Sequence, residues 1–488
     1  MGRRPVIMAF AGLAAAWCGL VAVTGQAGAW VVPAARPAAT AVSWRTAIEV
    51  PGSGALNAGG DADVASVSCK SAGNCAAGGS YEDGSAHSQA FVVSEKNGRW
   101  GQAIEVPGSG GLNAGGAASI DSVSCASAGN CAAGGEYKDA SAHGQALVAS
   151  ENKGRWGKAI EVPGSGALNA GGGGDVLSVS CGSAGNCAAG GGYQDGSGHG
   201  QAFVVTERKG RWGRAIEVPG SGGLNAGGYA SVYSVSCGSA GNCAAGGFYA
   251  DGSGRGQAFV VSEKSGRWGK AIKVPGFGAL NVGGSANVYS VSCGSAGNCA
   301  AGGYYKDGSG HGQAFVVSEK KGRWGRAIEV PGSGVLNAGG DASVNSVSCA
   351  SAGNCSAGGA YPDSHGHYQA FVVSEKNGRW GKAIKVPGSG ALNAGGYASV
   401  DSVSCASAGL CAAGGFYEDG SSNAQAFVAS EKSRRWGKAT EVPGSGALNA
   451  GESAAVDSVS CGSVRDCAAG GYYHDGSGHG QAFVVRRA

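Results

Sequence analysis

The chain has 488 residues, 97 of them glycine, is 43% hydrophobic and carries a formal charge of only +3. The glycine follows no Gly-X-Y triplet, which excludes collagen, and Val, Ile, Phe and Trp recur at fixed places, which argues against a disordered linker. So small a net charge gives no field favouring nucleic acid.

The chain opens with an export-signal pattern. Arg3 and Arg4 precede a mostly apolar run from Val6 to Val23, and Ala27-Gly28-Ala29 offers a small-residue cleavage site before Trp30. A signal peptide over 1–29 and a linker over 30–43, with Pro33 and Pro37 among alanines, are therefore expected. The alternative is an uncleaved anchor, since the apolar run approaches the length of a membrane span. No later segment is apolar enough to span a bilayer.

From residue 44 onward the sequence repeats. Trp44, Trp100, Trp156, Trp212, Trp268, Trp324, Trp380 and Trp436 are spaced 56 residues apart and mark eight near-identical copies. A strict period of this length signals a repeat architecture, here expected over 44–488. Within residues 44–99, Ala47–Val50 alternates and ends at Pro51. A glycine-rich stretch, Gly52 to Gly60, follows, and then Val64 to Cys69 is β-branched and alternating. Cys75 to Tyr81 comes next, Asp83-Gly84-Ser85 signals a turn, and Gln89 to Glu95 is the strongest strand pattern. Asn97-Gly98 turns the chain back into Trp100. No window shows helical periodicity. Each copy reads as four short strands, labelled a to d from Val64, the size of a propeller blade.

Each copy also carries two cysteines. The pairs are Cys69 with Cys75, Cys125 with Cys131, Cys181 with Cys187, Cys237 with Cys243, Cys293 with Cys299, Cys349 with Cys355, Cys405 with Cys411, and Cys461 with Cys467. An even count in an exported chain reads as a disulfide set, each bridge closing an a–b hairpin and contributing about 2 kcal/mol. Zinc would need closer cysteines and two further ligands, so no metal is expected. The loop Asp195-Gly196-Ser197-Gly198-His199-Gly200 has too few carboxylates for calcium and reads as a tight surface turn. No cofactor is expected.

The chain ends give the closure. The last copy stops after strand c, and residues 46–50 supply a spare strand d before any strand a. The N-terminal strand would complete the last blade and remove the open edges. The expected fold is all-β: an eight-bladed β-propeller of 56-residue, four-stranded blades.

The c–d turn, Ser94-Glu95-Lys96-Asn97-Gly98-Arg99-Trp100, resembles a degraded Asp-box of the bacterial neuraminidase repeat propellers. That family has S-x-D-x-G-x-x-W at this turn. This chain keeps Ser, Gly and Trp, lacks the Asp and is one residue shorter. The S-V-S-C and C-A-A-G-G patterns are also similar to those of secreted actinobacterial repeat proteins. The resemblance implies a blade phase and a propeller fold, not an activity.

Copies within one chain can be compared directly. V-P-G, S-V-S-C, Ala-Gly-Gly, Tyr-x-Asp, Gln-Ala-Phe and Gly-Arg-Trp scarcely change and read as scaffold. The Tyr81-type tyrosine and Gln89-type glutamine recur throughout and suit a shared structural hydrogen bond. The variable positions are Asp61, Ala117, Gly173, Tyr229, Ser285, Asp341, Tyr397 and Ser453; then Ala65, Asp121, Leu177, Tyr233, Tyr289, Asn345, Asp401 and Asp457; and Ser80, Glu136, Gly192, Phe248, Tyr304, Ala360, Phe416 and Tyr472. The start of strand a lies beside the end of strand b in an antiparallel hairpin, so all belong to the face bearing the d–a and b–c loops. The aromatic ones, Tyr229, Tyr233, Phe248, Tyr289, Tyr304, Tyr397, Phe416 and Tyr472, are the candidate ligand-binding residues, able to stack on sugar rings or anchor a partner. Neutral drift where packing does not constrain side chains is the competing explanation. The opposite face carries basic c–d turns, which either hold an anionic polymer or only solubilise the turns and protect strand edges.

No catalytic residue stands out. The histidines at the His87 position and the arginines at the Arg99 position repeat around the ring, whereas catalysis needs differentiated groups. The expected function is a secreted, lectin-like, multivalent binder of carbohydrate or a cell-surface polymer, monomeric and without a membrane span once the signal is cleaved. The alternatives are a secreted glycosidase or polysaccharide lyase, and a protein-interaction scaffold without a small ligand.

Overall fold

A computed structural model describes residues 43–487. The expected signal peptide and, apart from Ser43, the linker lie outside the described residues. Among the described residues no helix is long and apolar enough to cross a membrane.

The blades form as the repeat predicts. In blade 1, strand a is Ala62–Ser71, b is Asn74–Glu82, c is Ser88–Lys96 and d is Ile104–Glu105, paired in that order. Blades 2 to 7 repeat the pattern, with strands a starting at Ala118, Ser178, Ala230, Ala286, Ser343 and Ala398. Blade 8 consists of Ala454–Ser463, Asp466–His474 and Gly480–Arg487, and its strand d is Ile48–Glu49 from the N-terminal side. Ile48 pairs with Val484 and Glu49 with Phe483, so the N-terminal strand closes the ring.

Two details go beyond the four-strand reading. Arg99–Trp100 folds back on the end of strand c, pairing Glu95 with Trp100, before the chain reaches strand d. Asn97 (φ 51°) and Gly98 (φ 79°) make the tight turn that this needs. The glycine-rich stretch holds a one-turn helix, Ser53–Leu56, entered through Gly52 at φ 83°. A single turn is too short to show an amphipathic period, so pattern reading could not see it.

The core lies between blades. Phe91 and Val93 of blade 1 pack with Ala468, Ala482 and Val484 of blade 8, and the same arrangement recurs around the ring. The glycines of strand b permit this approach: a Cβ on Gly78 would lie 2.7 Å from Ile120 Cγ2 of the next blade.

The S-V-S-C motif forms the inner ring. Ser66 Oγ accepts from Val123 N, and Ser68 Oγ accepts from Cys125 N, each at 2.9 Å. The pair repeats at every blade junction, including blade 8 to blade 1 through Ser458 and Ser460. The innermost strands are thereby tied into one closed hydrogen-bonded hoop.

Below the hoop, all eight expected disulfides are formed, one in each blade. Cys69 is bonded to Cys75, Cys125 to Cys131, Cys181 to Cys187 and Cys237 to Cys243. Cys293 is bonded to Cys299, Cys349 to Cys355, Cys405 to Cys411 and Cys461 to Cys467. In every blade the two cysteines stand directly opposite one another in the a–b ladder, so each bridge follows from the strand register.

The invariant polar residues have structural partners. Gln89 donates to Asp83 and accepts from Asn113 of the next blade, so it joins two blades. Tyr81-type tyrosines are buried, and Tyr305, Tyr417 and Tyr473 donate to Glu329, Glu441 and Glu49. In the b–c loop, Asp195 accepts from Ser197 N, His199 N and Gln201 Nε2, so both carboxylate oxygens serve the turn itself. At the c–d turns, Trp156 Nε1 donates to Ser94, whose hydroxyl donates to the buried Glu151.

Candidate functional site

The candidate site is the mouth of the central opening on the face of the d–a and b–c loops. Strand a buries Ala62, Val64, Val67 and Cys69 and leaves Asp63, Ala65, Ser66 and Ser68 half-buried. The strand register shifts between Val64 and Ser66, so Ala65 is a bulge residue with no partner in strand b. Bulges commonly re-aim side chains beside functional sites. Below this bulge the serines make the hoop; at and above it the copies diverge.

The divergence is organised by blade. Blades 7, 8, 1, 2 and 3 contribute Asp401, Asp457, Asp63, Asp121 and Asp175 in unbroken succession. Blades 4 and 5 contribute Tyr229, Tyr233, Phe248, Tyr289 and Tyr304. One arc of the mouth is acidic and the facing arc is aromatic.

In the aromatic arc the rings touch in sequence. Phe248 lies 5.2 Å from both Tyr229 and Tyr233, Tyr233 lies 6.2 Å from Tyr289, and Tyr289 stacks on Tyr304 at 5.5 Å. Tyr304 shares a 2.8 Å hydrogen bond with Ser285, which fixes its ring. Tyr229 is 61% exposed and Tyr289 37%, while Tyr233, Phe248 and Tyr304 are half-buried between them. Burial among neighbouring rings pushes the Tyr233 hydroxyl up to about 12.

Not all candidates join this run. Tyr397 stacks on Phe416 at 5.4 Å and on Tyr368 at 4.7 Å, forming a second cluster at blades 6 and 7. Tyr472 stands apart beside His474.

The acidic arc is electrostatically loaded. Burial pushes Asp121 up to about 7, against the lowering hydrogen bond from Ser119, with Glu136, Asp175 and Asp63 adding their charges. Burial raises Asp457 to about 8, with help from Asp63 and Asp401. Asp175 and Asp401 are each held up to about 6 by burial. Asp63 is also raised by burial, although Ser80 hydrogen bonds to it. No lysine or arginine among the described residues forms a salt bridge with any of these five.

The two arcs meet in a cavity of about 330 Å³ between blades 3 and 4, where Asp175, Gly173 and Gly192 face Tyr229 and Tyr233. Asp175 Oδ1 accepts from Gly192 N at 2.7 Å.

Sequence comparison of the copies found Asp121, Asp401 and Asp457 as variable positions but assigned them no role. It passed over Asp63 and Asp175, which sit two residues before the Ala65-type position, and Tyr368, which replaces the Gly, Ser or Ala of other copies. The same comparison, extended to those positions, would have flagged them. What it could not supply is adjacency across blades 56 residues apart.

The basic positions lie on the opposite face. Clefts between c–d turns, such as that of about 450 Å³ lined by Lys320, Arg323, Arg326, Arg379 and Trp380, carry them. Several of these cations brace the next blade: Lys320 donates to Gly378 O and Arg208 to Gly266 O. The Arg99-type arginines therefore do not converge at the mouth. His87-type histidines are spread through the exposed b–c loops; His87 itself would meet a Cβ on Gly116 of the next blade.

No family model matches the chain, and no curated protein matches it in sequence. Solved structures of similar shape include a protein of unknown function from Dyadobacter fermentans, 9% identical over 92% of this chain and 100% of that one, with a TM-score of 0.40. An ulvan lyase bound to a GlcA–Rha3S saccharide is 12% identical over 82% of this chain and 94% of that one, with a TM-score of 0.40. A Hadza microbial sialidase is 12% identical over 82% and 72% of the two chains, with a TM-score of 0.34. At such scores these likenesses carry nothing about the chemistry of the mouth.

Proposed function

We propose that this protein is a secreted carbohydrate-binding propeller that engages its ligand through the aromatic arc of the mouth. The observation that carries this reading is the contiguous run Tyr229, Phe248, Tyr233, Tyr289 and Tyr304, which reaches solvent at Tyr229 and Tyr289. Its rings offer a broad, rigid apolar surface with polar hydroxyl tips, suited to the flat faces of successive pyranose rings. The Tyr397–Phe416–Tyr368 cluster provides a second platform on the same face, so several subsites of one polymer gain avidity together. The signal pattern before Trp30 and the eight disulfides support an extracellular setting. Binding of the purified protein to a glycan array, abolished when Tyr229, Tyr233, Phe248 and Tyr304 are replaced by Ala, is the expected result. Unchanged array signals in that variant would sink the reading.

A second reading is a carbohydrate-active enzyme. It rests on the acidic arc, where Asp121 and Asp457 are held near neutral pH, in the range of a general acid. The blades are not equivalent here, and differentiated acids are what catalysis requires. Release of reducing or unsaturated sugar from an array-positive polysaccharide, lost in Asp121→Asn and Asp457→Asn, would establish it. A polysaccharide recovered intact after prolonged incubation would dismiss it.

A further inference from the structure

The aromatic arc explains attraction to a sugar face; it leaves the facing carboxylates without a purpose. Five blades in succession place an aspartate at the mouth, and none has a cationic partner in a salt bridge among the described residues. Buried carboxylates relieve their mutual repulsion either by holding protons or by taking a counter-charge from outside. The cavity between blades 3 and 4 has room for such a charge beside Asp175.

This cavity exists because blade 3 differs from its neighbours. Gly173 stands where other copies have Asp61, Tyr229 or Tyr397, and Gly192 where they have Phe248, Tyr304 or Phe416. Removing those side chains opens about 330 Å³ against the exposed Tyr229. Neither glycine is needed for its backbone: neither has a positive φ, and a Cβ would lie no closer than 3.4 Å to its neighbours at Gly173 and 3.3 Å at Gly192. On the floor, Asp175 is oriented by the Gly192 N–H through Oδ1, and its other oxygen has no hydrogen bond to the protein among the described residues. Tyr229 and Tyr233 form the opposite wall.

Building on the carbohydrate reading above, we propose that this cavity takes the protonated amine of a 2-amino-2-deoxyhexose unit, so that the ligand is a de-N-acetylated hexosamine polymer. The ammonium would sit between the Asp175 carboxylate and the tyrosine faces, combining a charge-assisted hydrogen bond with a cation–π contact. Asp121 and Glu136 in blade 2 continue the negative potential on one side. The platform of Phe248, Tyr289 and Tyr304 continues on the other, with surface for the next sugar rings. A lysine side chain of a protein partner carries the same charge, but its narrow stem would leave that platform uncovered. The amine must be free: acetylation would remove the charge and add bulk against Asp175.

The test is calorimetric titration of the intact protein with four probes: a glucosamine hexamer, its fully N-acetylated form, a neutral glucose hexamer and a lysine hexamer. The glucosamine hexamer is expected to bind at least about tenfold tighter than the other three, a difference of about 1.4 kcal/mol. Asp175→Asn should erase that preference. Gly192→Phe, which copies the residue of blades 4 and 7, should fill the cavity and do the same, with an unchanged thermal melt confirming the fold. Equal binding of acetylated and free-amine hexamers would overturn the amine assignment and leave carbohydrate binding standing. No binding of any sugar hexamer would overturn the amine assignment, and the array decides the wider reading. Lysine hexamer binding as tightly as the glucosamine hexamer would overturn the sugar in favour of a basic protein partner.

Discussion

Two halves of the same strand behave in opposite ways. From Ser66 to Cys69 the innermost strand is nearly identical in all eight copies, because every serine accepts a hydrogen bond from the next blade and every cysteine is bridged. At Asp61, Asp63 and Ala65, just before it, the residue changes from copy to copy. No repeated blade-to-blade contact fixes those side chains, so they are free to vary, and they differ by sector. Repetition marks what the ring needs to close; its loss marks the mouth.

The sharpest break in the ring's uniformity is at the seam between blades 8 and 1, and it offers the largest expected effect. At six of the other junctions a serine or threonine at the end of strand c donates to a buried glutamate, as Ser94 does to Glu151, whereas between blades 7 and 8 Arg487 stands in the glutamate's place. At the seam that serine is replaced by Arg486, which lies 3.5 Å from the buried Glu95 and also pairs with Asp466, where most copies have asparagine. Arg486→Ala would leave Glu95 and Asp466 without their cation, at a cost of about 3–5 kcal/mol. Urea denaturation checks this, with Arg486→Ala/Glu95→Gln recovering most of the loss. An unchanged midpoint in Arg486→Ala would mean that the serine hoop and the apolar packing hold the seam without the ion pair.

A smaller effect is expected from pH, and it should come from the mouth. Asp121 and Asp457 have folded values of about 7 and about 8, against an ordinary 3.8. The folded protein therefore holds protons that the unfolded chain has already released. The stability they contribute is complete below the ordinary value and is lost as pH rises through the folded values. The Asp83-type aspartates of the b–c loops have lowered values and act oppositely, losing their contribution only as the solution becomes strongly acidic. Between about pH 6 and 8 the unfolding free energy should decline, and Asp121→Asn/Asp457→Asn should flatten the decline. A slope identical in the double variant would place its origin elsewhere, for example in the buried Glu95-type residues, whose values are also raised by burial.

Much of the scaffold was legible because it repeats. The Trp44-to-Trp436 spacing counted the blades, the truncated last copy implied closure by residues 46–50, and the cysteine pairs named their own bridges. The Arg99–Trp100 strand and the Ser53–Leu56 turn were not legible, since neither is long enough to carry a period. The aromatic residues of the mouth were found by comparing copies, and three of them, Tyr229, Tyr233 and Phe248, came from one blade. Their division into a five-ring run, a separate Tyr397–Phe416 cluster and an isolated Tyr472 was not, because it depends on contacts between blades. The acidic arc was missed as an arc for the same reason: its members come from two positions of the repeat, Asp63 and Asp175 from one, Asp121, Asp401 and Asp457 from the other. Arg486 and Asp466 are single departures whose partner, Glu95, lies almost 400 residues away in the chain.

If mouth residues serve a sugar ligand while the hoop serves the fold, binding and stability separate on mutation. The best array glycan is titrated into the native protein and into Tyr229→Ala/Tyr289→Ala, and unfolding of both is measured. The predicted result is at least about tenfold weaker binding, with unfolding free energy changed by no more than about 1 kcal/mol. Unchanged affinity, with or without a loss of stability, would contradict the claim and return these tyrosines to the scaffold.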